Sequence, residues 1–363
     1  MLGIGSALSL LYLLFHPLTH RLIGFLTLSY ALFRIFTALR IYTRTTTITK
    51  YMHGTLNSYA LITGATSPLG VALANELSSH GFNVILHGRD AKALEAVQKR
   101  LAEKYPRRRY KVLVADVLNH PVEDYEKLVD QIRDLNVTVL INALSSSISM
   151  PKLTKHPIKP FHATDHSELQ SLLDLNVRFT MHLTRAVLPI LLRHEPSCIM
   201  NVGSHLGRTG APYLAAYGAS KGWMRAWSRG LSVEMKKGEG KDLDVVYFVV
   251  GETLTEQDRQ NGQEQAGLMS WLRPSADVMA KAMVHTVGCG EWAVTPYVWH
   301  LSLGVVAMLP HRLYSDFMLK MTKSRVGKEV SFGHWFEGPK GESQAASPVQ
   351  NGAAAAMDGK KDN

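Results

Sequence analysis

The chain has 363 residues, of which 46% are hydrophobic and 19% are charged, with 40 lysines and arginines against 30 acidic residues. This composition excludes an intrinsically disordered chain, a collagen-like repeat and a transporter with many membrane spans. The two cysteines, Cys198 and Cys289, exclude a disulfide framework and favour a reducing compartment.

The net charge of +10 is concentrated at the N-terminus. Residues 1–50 contain five basic residues and no acidic residue, so half of the excess lies in this segment. Because the same segment is the most apolar part of the chain, the charge indicates a membrane surface and not a nucleic acid.

Two apolar runs occupy this segment, residues 2–15 and residues 22–39, and the second contains one charge, Arg34. A bilayer core needs about 20 apolar residues as a helix, so the second run predicts a membrane span and the first an interfacial segment. Three basic residues follow the second run and one precedes it, which predicts a cytosolic location for the rest of the chain. A buried helical hairpin and a mitochondrial presequence are the alternatives.

The C-terminal residues 343–363 are small and polar and predict a solvated tail. Lys360 and Lys361 resemble the dilysine signal that returns membrane proteins to the endoplasmic reticulum. We therefore expect a membrane anchor over residues 1–50, a catalytic domain over residues 57–333 and a flexible tail over residues 334–363. The expected location is the endoplasmic reticulum membrane, with the catalytic domain in the cytosol.

A short apolar strand over residues 59–63 runs into the turn Gly64–Gly70 and then into a helical pattern over residues 71–79. A strand, a glycine turn and a helix together are typical of dinucleotide binding, because the turn brings backbone N–H groups and a helix N-terminus onto a pyrophosphate. Pro68 suits the first turn of this helix, and Ser67 is suited to cap it.

The second predicted strand, residues 83–86, is followed by Arg89, where an NAD site usually has an acidic residue for the ribose 2′-hydroxyl. A guanidinium suits a 2′-phosphate, so Arg89 favours NADP(H). A solvent-facing arginine is the alternative, and Asp90 directly beside it leaves both interpretations open.

Strands and helices alternate along the rest of the domain. This alternation predicts a Rossmann-type α/β fold with a doubly wound parallel sheet, whose ligands lie at the carboxyl ends of the strands. Further strands are predicted over residues 111–115, 137–141, 198–202 and 243–250, and helices over residues 126–135, 169–192 and 215–236. Asp116, Asn142, Ser204 and Gly251 each fall at such a strand end.

The strongest catalytic pattern combines Ser204 with Tyr217 and Lys221, and Asn176 lies upstream. Tyr217 and Lys221 are four residues apart in a predicted helix and so share one face. A free tyrosine has a pKa of about 10, and a neighbouring cation lowers this value, so Lys221 would make Tyr217 usable as an acid near neutral pH. An ordinary tyrosine beside a solvated lysine is the alternative.

These motifs, in this order and spacing, resemble the short-chain dehydrogenase/reductase family over roughly residues 57–330. The resemblance implies that Tyr217 protonates the substrate carbonyl and that Ser204 polarises it. It also implies that Lys221 holds the nicotinamide ribose and that Asn176 anchors a water in the proton relay. The cofactor contacts it implies are Gly64, Thr66, Ser67, Leu69, Gly70, Arg89, Asp116, Asn142, Tyr217, Lys221, Thr253 and Thr255.

Three positions depart from the family pattern. Pro68 replaces a glycine, Leu144 replaces the glycine after Asn142-Ala143, and Val250 replaces the proline before Gly251. Leu144 is the departure expected to alter cofactor affinity or substrate shape.

The segment 212–221, the stretch from Arg273 to Pro310 with its apolar part 297–309, and the apolar N-terminus carry a looser resemblance. They resemble the branch that contains membrane-bound 17β-hydroxysteroid dehydrogenases and very-long-chain 3-oxoacyl-CoA reductases. It implies an NADPH-dependent ketone reductase whose lipophilic substrate is a 3-oxoacyl-CoA or a steroid. A catalytically impaired binding protein of the same fold is the alternative. Expected partners are the lipophilic small molecule, a membrane and, as an open alternative, a second copy in a homodimer; neither nucleic acid nor a metal is expected.

Overall fold

A seven-stranded parallel sheet lies at the centre of the protein in the computed structural model, which describes residues 16–54, 57–118, 124–144, 158–254 and 272–323. The strand order is β3-β2-β1-β4-β5-β6-β7, and the order reverses between β1 and β4. The strands are β1 (Tyr59–Thr63), β2 (Asn83–Gly88), β3 (Tyr110–Val114), β4 (Val137–Asn142), β5 (Ser197–Val202), β6 (Leu243–Phe248) and β7 (Ala293–Val294). This is the predicted doubly wound fold, whose ligands bind where the order reverses.

Helices cover both faces of the sheet, so all residues of its central strands are buried. The helices are α1 (Pro17–Thr43), α2 (Pro68–His80), α3 (Ala91–Lys104), α4 (Asp124–Asp130), α5 (His166–Leu173), α6 (Phe179–Arg193), α7 (Leu206–Thr209), α8 (Ala215–Val233), α9 (Ala276–Thr286), α10 (Leu301–Val306) and α11 (His311–Lys323). One core cluster packs α2, α3 and α9 on the sheet, and the other packs α4 and α6 on the opposite face.

The predicted strands agree with the observed ones to within two residues at each end, and the third starts one residue earlier than expected. The predicted helix over residues 169–192 is instead α5 and α6 joined by a π-helical turn, Asp174–Arg178. The two-residue strand β7 was not predicted, because two residues cannot carry a periodic pattern.

The apolar run over residues 22–39 lies within α1. Within the described residues, neither α1 nor any other helix combines the length and the apolar character that crossing a bilayer requires, so the predicted span is not found. The predicted segment over residues 2–15 and the predicted tail over residues 334–363 lie outside the described residues.

The chain joins the core before residue 57. Ile48 and Tyr51, in the 3-10 turn Ile48–Tyr51, are fully buried in the first core cluster. Tyr51 Oη donates to Asp244 Oδ2 at 2.6 Å, and Lys50 Nζ lies 3.2 Å from the same oxygen. Lys236 forms a second ion pair with Asp244.

This cluster changes the acidity of its carboxylate. Burial alone would raise the pKa of Asp244, but hydrogen bonds from Lys236 and Tyr51, with the charges of Lys236 and Lys50, outweigh burial and lower it. The N-terminal segment is thus fastened to the second residue of β6 by one ionised group.

We predict that Tyr51→Phe lowers the free energy of unfolding by about 2 kcal/mol, because a buried hydrogen bond to a charged group is lost. Urea unfolding measures this change. Tyr125→Phe is the matched control: Tyr125 is equally buried, and its hydroxyl has no hydrogen-bond partner among the described residues. Equal losses for the two variants would contradict the prediction.

Candidate active site

The glycine turn between β1 and α2 is tight and capped. Gly64 has a φ of +67°, in the left-handed region that favours glycine. Ser67 caps α2, since its side chain accepts from Gly70 N at 3.0 Å, and Pro68 begins the helix. A Cβ on Gly70 would lie 2.2 Å from Gly64 O, so the second glycine permits the close packing of helix on turn. Pro68 therefore fits its position without strain.

Thr63, the last residue of β1, ties this turn to β4. Its Oγ1 accepts from Ala143 N and Leu144 N, both at 3.0 Å, and lies 3.2 Å from Ile141 O, to which it donates. The side chain of Leu144 packs against the second core cluster. Thr63 is the first residue of the glycine motif in the sequence, but sequence reasoning assigned it no role, because its bonds to β4 form only in the folded chain.

Asn142 lies in a buried polar network at the end of β4. Its Nδ2 donates to Asn201 Oδ1 at 2.8 Å and to Thr184 Oγ1 at 3.1 Å. Asn201 Nδ2 in turn donates to Ser228 Oγ at 2.9 Å. The network joins β4, β5, α6 and α8. Asn201 was missed, because only the folded chain brings it beside Asn142.

Ser204, Tyr217 and Lys221 converge beyond the end of β5. Lys221 is buried, and its Nζ donates to Val202 O, at the last residue of β5, at 2.9 Å. The same Nζ lies 5.9 Å from the ring centroid of Tyr217. Ser204 follows Val202 by two residues. The end of β5 therefore positions both the serine and the Lys221 amine.

The environment of Lys221 tunes its charge. Burial lowers its pKa to about 8, because the charged form loses hydration. The group is therefore still mainly an ammonium at neutral pH, beside a half-buried phenol. This arrangement suits a proton donor whose acidity depends on a neighbouring cation.

Tyr247, on β6, contacts both the segment that carries Ser204 and the helix that carries Lys221. Its Oη accepts from Ser204 N at 3.0 Å and lies 3.1 Å from Ser204 O and 3.3 Å from Lys221 O. Burial raises its pKa to about 12, so it remains a phenol. A Cβ on Gly203 would lie 2.0 Å from the Tyr247 ring, which explains the glycine. Sequence reasoning missed Tyr247, since one aromatic residue in a strand gives no functional signal.

Asn176 is fully buried in the π-helical turn between α5 and α6. Its Nδ2 donates to Ser220 Oγ at 2.9 Å, and Ser220 Oγ donates to Tyr217 O at 2.8 Å. The Asn176 amide is thus linked to the backbone of Tyr217 through one hydroxyl group, that of Ser220. Isolated π turns are frequent at functional sites.

The residues predicted for the adenosine end lie at the ends of β2 and β3. Arg89 is exposed and has no hydrogen bond or ion pair among the described residues. Asp90 caps α3, since its Oδ1 accepts from Ala93 N at 3.0 Å. Asp116 is half-buried, and its Oδ1 accepts from Leu118 N at 3.2 Å.

The remaining predicted contacts are placed as follows. Thr66 is exposed and Leu69 is half-buried on the glycine turn, and Thr253 is half-buried in the turn after β6. Thr255 lies outside the described residues. Among the residues with described positions, no group of histidine, cysteine and acidic side chains could hold a metal ion.

Comparisons with known proteins identify the family of the chain. The family model for short chain dehydrogenase matches residues 58–266. A very-long-chain 3-oxoacyl-CoA reductase of Neurospora crassa is 30% identical over 284 residues, which are 77% of this chain and 80% of that protein. The corresponding protein of Podospora anserina is 33% identical over 236 residues, which are 65% of each chain.

Solved structures share the fold. A structure from work on 7beta-hydroxysteroid dehydrogenase stereoselectivity has a TM-score of 0.60 at 19% identity, over 73% of this chain and 97% of that one. A short chain dehydrogenase from Escherichia coli, complexed with NADPH, has a TM-score of 0.56 at 24% identity, over 67% and 98% of the two chains. The chain belongs to the short-chain dehydrogenase/reductase family of oxidoreductases, in the branch that holds these fungal very-long-chain 3-oxoacyl-CoA reductases.

Proposed function

We propose that the protein is an NADPH-dependent reductase that converts the ketone of a long-chain 3-oxoacyl-CoA to an alcohol. The observation that carries this proposal is the convergence of Ser204 and Tyr217 with the buried amine of Lys221 beyond the end of β5. A phenol, a hydroxyl and an ammonium at one strand end can polarise a carbonyl and protonate its oxygen.

Each of the four residues has a separate role in the proposed reduction. NADPH, when bound, supplies the hydride that adds to the carbonyl carbon. Ser204 Oγ donates a hydrogen bond to the carbonyl oxygen, and Tyr217 Oη gives it the proton that completes the alcohol. Lys221 stabilises the phenolate left on Tyr217 and holds the nicotinamide ribose. Asn176 fixes the helix backbone at Tyr217 through Ser220 and anchors the water that returns the proton.

The preference for NADP(H) rests on Arg89 and Asp90. Asp90 Oδ1 caps α3, so this carboxylate is oriented toward its own helix, which weighs against a role as the acid that an NAD site places on the ribose. The exposed guanidinium of Arg89 is available for a 2′-phosphate. The glycine turn suits a pyrophosphate, because it leads directly into the N-terminus of α2, where backbone N–H groups and the helix dipole favour an anion.

The substrate class is inferred from the relatives. The curated proteins of Neurospora crassa and Podospora anserina are named for 3-oxoacyl-CoA reduction. A steroid ketone is the second candidate, supported only by the looser resemblance noted in the sequence. No observation favours the catalytically impaired alternative, since Pro68 and Leu144 are both accommodated by the fold.

We also propose that the protein binds the endoplasmic reticulum membrane. The apolar side chains of α1 are half or more exposed: Leu18, Leu22, Ile23, Phe25, Leu26, Leu28, Tyr30, Leu32, Phe33, Ile35, Phe36 and Leu39. Such a continuous exposed surface favours contact with lipid. Tyr42, at the end of α1, donates to Thr295 O at 2.6 Å, so the helix is fastened to the catalytic domain. A homodimer stays a prediction.

We predict that Tyr217→Phe lowers kcat for reduction of a long-chain 3-oxoacyl-CoA by at least about 100-fold, because the proton donor is removed. NADPH oxidation, followed by absorbance, measures this loss, which should exceed any loss of NADPH affinity. Tyr125→Phe, the same substitution away from the site, should retain full activity. If the wild-type protein fails to oxidise NADPH when given the acyl-CoA and also fails when given a steroid ketone, the proposal is contradicted.

We predict that Arg89→Ala weakens binding of NADPH by about 10-fold to 100-fold, the loss expected for a hydrogen bond to a charged group. Binding of NADH, which lacks the 2′-phosphate, should be unaffected. Arg100→Ala is the control, since Arg100 is also an exposed arginine but lies on α3, away from the end of β2. An equal loss of affinity for NADPH and NADH would show that Arg89 does not bind the 2′-phosphate.

We predict that the protein floats with phosphatidylcholine and phosphatidylinositol vesicles in a density gradient. The double variant Phe25→Ser/Phe36→Ser should float several-fold less, since two exposed rings no longer enter the lipid. Phe161→Ser, which removes a similarly exposed ring elsewhere, should float like the wild type. Wild-type protein that stays at the bottom of the gradient would refute membrane binding.

A further inference from the structure

The chain leaves the turn after β6 at Leu254 and is described again from Leu272. The two ends are joined at this point: Leu254 N donates to Pro274 O at 3.0 Å, and Arg273 lies 3.3 Å from Glu252 in an ion pair. The backbone beyond β6 is therefore held by contacts from residues 272–275 and not by the strand alone.

His300 adds a third connection from a distant part of the chain. Its ring is fully buried, and Nδ1 accepts from Gly251 N at 3.1 Å. Because Nδ1 is the acceptor, the proton lies on Nε2, which donates to Leu272 O at 2.9 Å. One imidazole thus bridges the turn after β6 and the returning chain, with both nitrogens satisfied.

The imidazole lies directly against the backbone of the turn. A Cβ on Gly251 would come within 2.7 Å of both Cε1 and Nε2 of His300, so only glycine allows this approach. Val250, beside it, does not restrict the backbone as a proline would. The position of the turn therefore depends on contacts made from outside it.

The same turn is hydrogen-bonded to the segment that carries the catalytic serine. Gly203 N donates to Phe248 O at 2.9 Å, and His205 N donates to Val250 O at 3.3 Å. Ser204 lies between these two residues. The rings of His205 and His300 also meet edge to face, with centroids 6.0 Å apart. A shift of Gly251 would thus reach Ser204 through Val250 and His205.

We propose that His300 is a positioning residue for the reduction: its ring holds the turn at Gly251 in register with Ser204 by bridging Gly251 N and Leu272 O. This inference rests on the proposed function, since Ser204 is the group whose position matters. His300 touches neither the substrate nor the proton relay in this role. It acts on Ser204 through the backbone of residues 250–251.

The test compares His300→Leu, which removes both hydrogen bonds, with His300→Asn and His300→Gln, whose amides offer one acceptor and one donor. Hydrogen exchange of a peptide containing Gly251, measured by mass spectrometry, should be about tenfold faster in His300→Leu. Its kcat for the 3-oxoacyl-CoA should fall about tenfold or more, with a smaller change in KM, because the serine is displaced. At least one amide variant should restore both readouts to within about twofold.

A second histidine supplies the control. His53 Nε2 lies 3.2 Å from Pro196 O, at the opposite end of the sheet, so His53→Leu should lower stability without a change in kcat. Unchanged exchange at Gly251 in His300→Leu, or amide variants that both behave like His300→Leu, would overturn the inference. If the wild type reduces no ketone, the proposed function fails, while the exchange measurement still decides whether His300 holds the turn.

Discussion

The hydrogen bond from Lys221 Nζ to Val202 O is the interaction on which the site depends. It places a buried amine at the end of β5, where burial brings its pKa to about 8. The amine lies beside Tyr217 because the two residues are one helical turn apart on α8. It lies near Ser204 because Val202 is the last residue of the strand that leads to the serine. The sheet thus fixes the position of the Lys221 amine, and the hydroxyl groups of Ser204 and Tyr217 lie on the segments next to it.

The residues proposed to carry the chemistry could be predicted from sequence because they follow local rules. Asn142 and Ser204 come directly at or after buried strands, and Tyr217 and Lys221 share a helix face at a spacing of four. Their supporting partners could not be found in this way. Asn201, Tyr247 and His300 reach the site only because the sheet and the C-terminal segment bring distant parts of the chain together. The π-helical turn at Asn176 was missed for a related reason, since its extra residue interrupts a pattern that otherwise continues as one helix.

The departures from the family pattern each have a local physical account. Pro68 occupies the first turn of α2, where a missing N–H costs nothing, and Ser67 supplies the cap. The backbone N–H of Leu144 donates to Thr63 Oγ1, and the Leu144 side chain packs against the second core cluster. Val250 gives up the rigidity of a proline, and the contacts of His300 and of Pro274 act on the neighbouring backbone instead. The expected effect of Leu144 on cofactor affinity stays a prediction.

The attachment of the N-terminal segment has a mechanical consequence. Tyr42 is bonded to Thr295 O, and Tyr51 is bonded to Asp244, so the chain between them is held to the catalytic domain at both ends. The hydrophobic helix that ends beside Tyr42 is therefore attached to the domain at a fixed point and not through a flexible linker. A membrane bound by this helix would therefore fix the distance and orientation of the catalytic domain relative to the lipid surface. A lipophilic substrate of the class proposed would then approach Ser204 along a path set by that attachment.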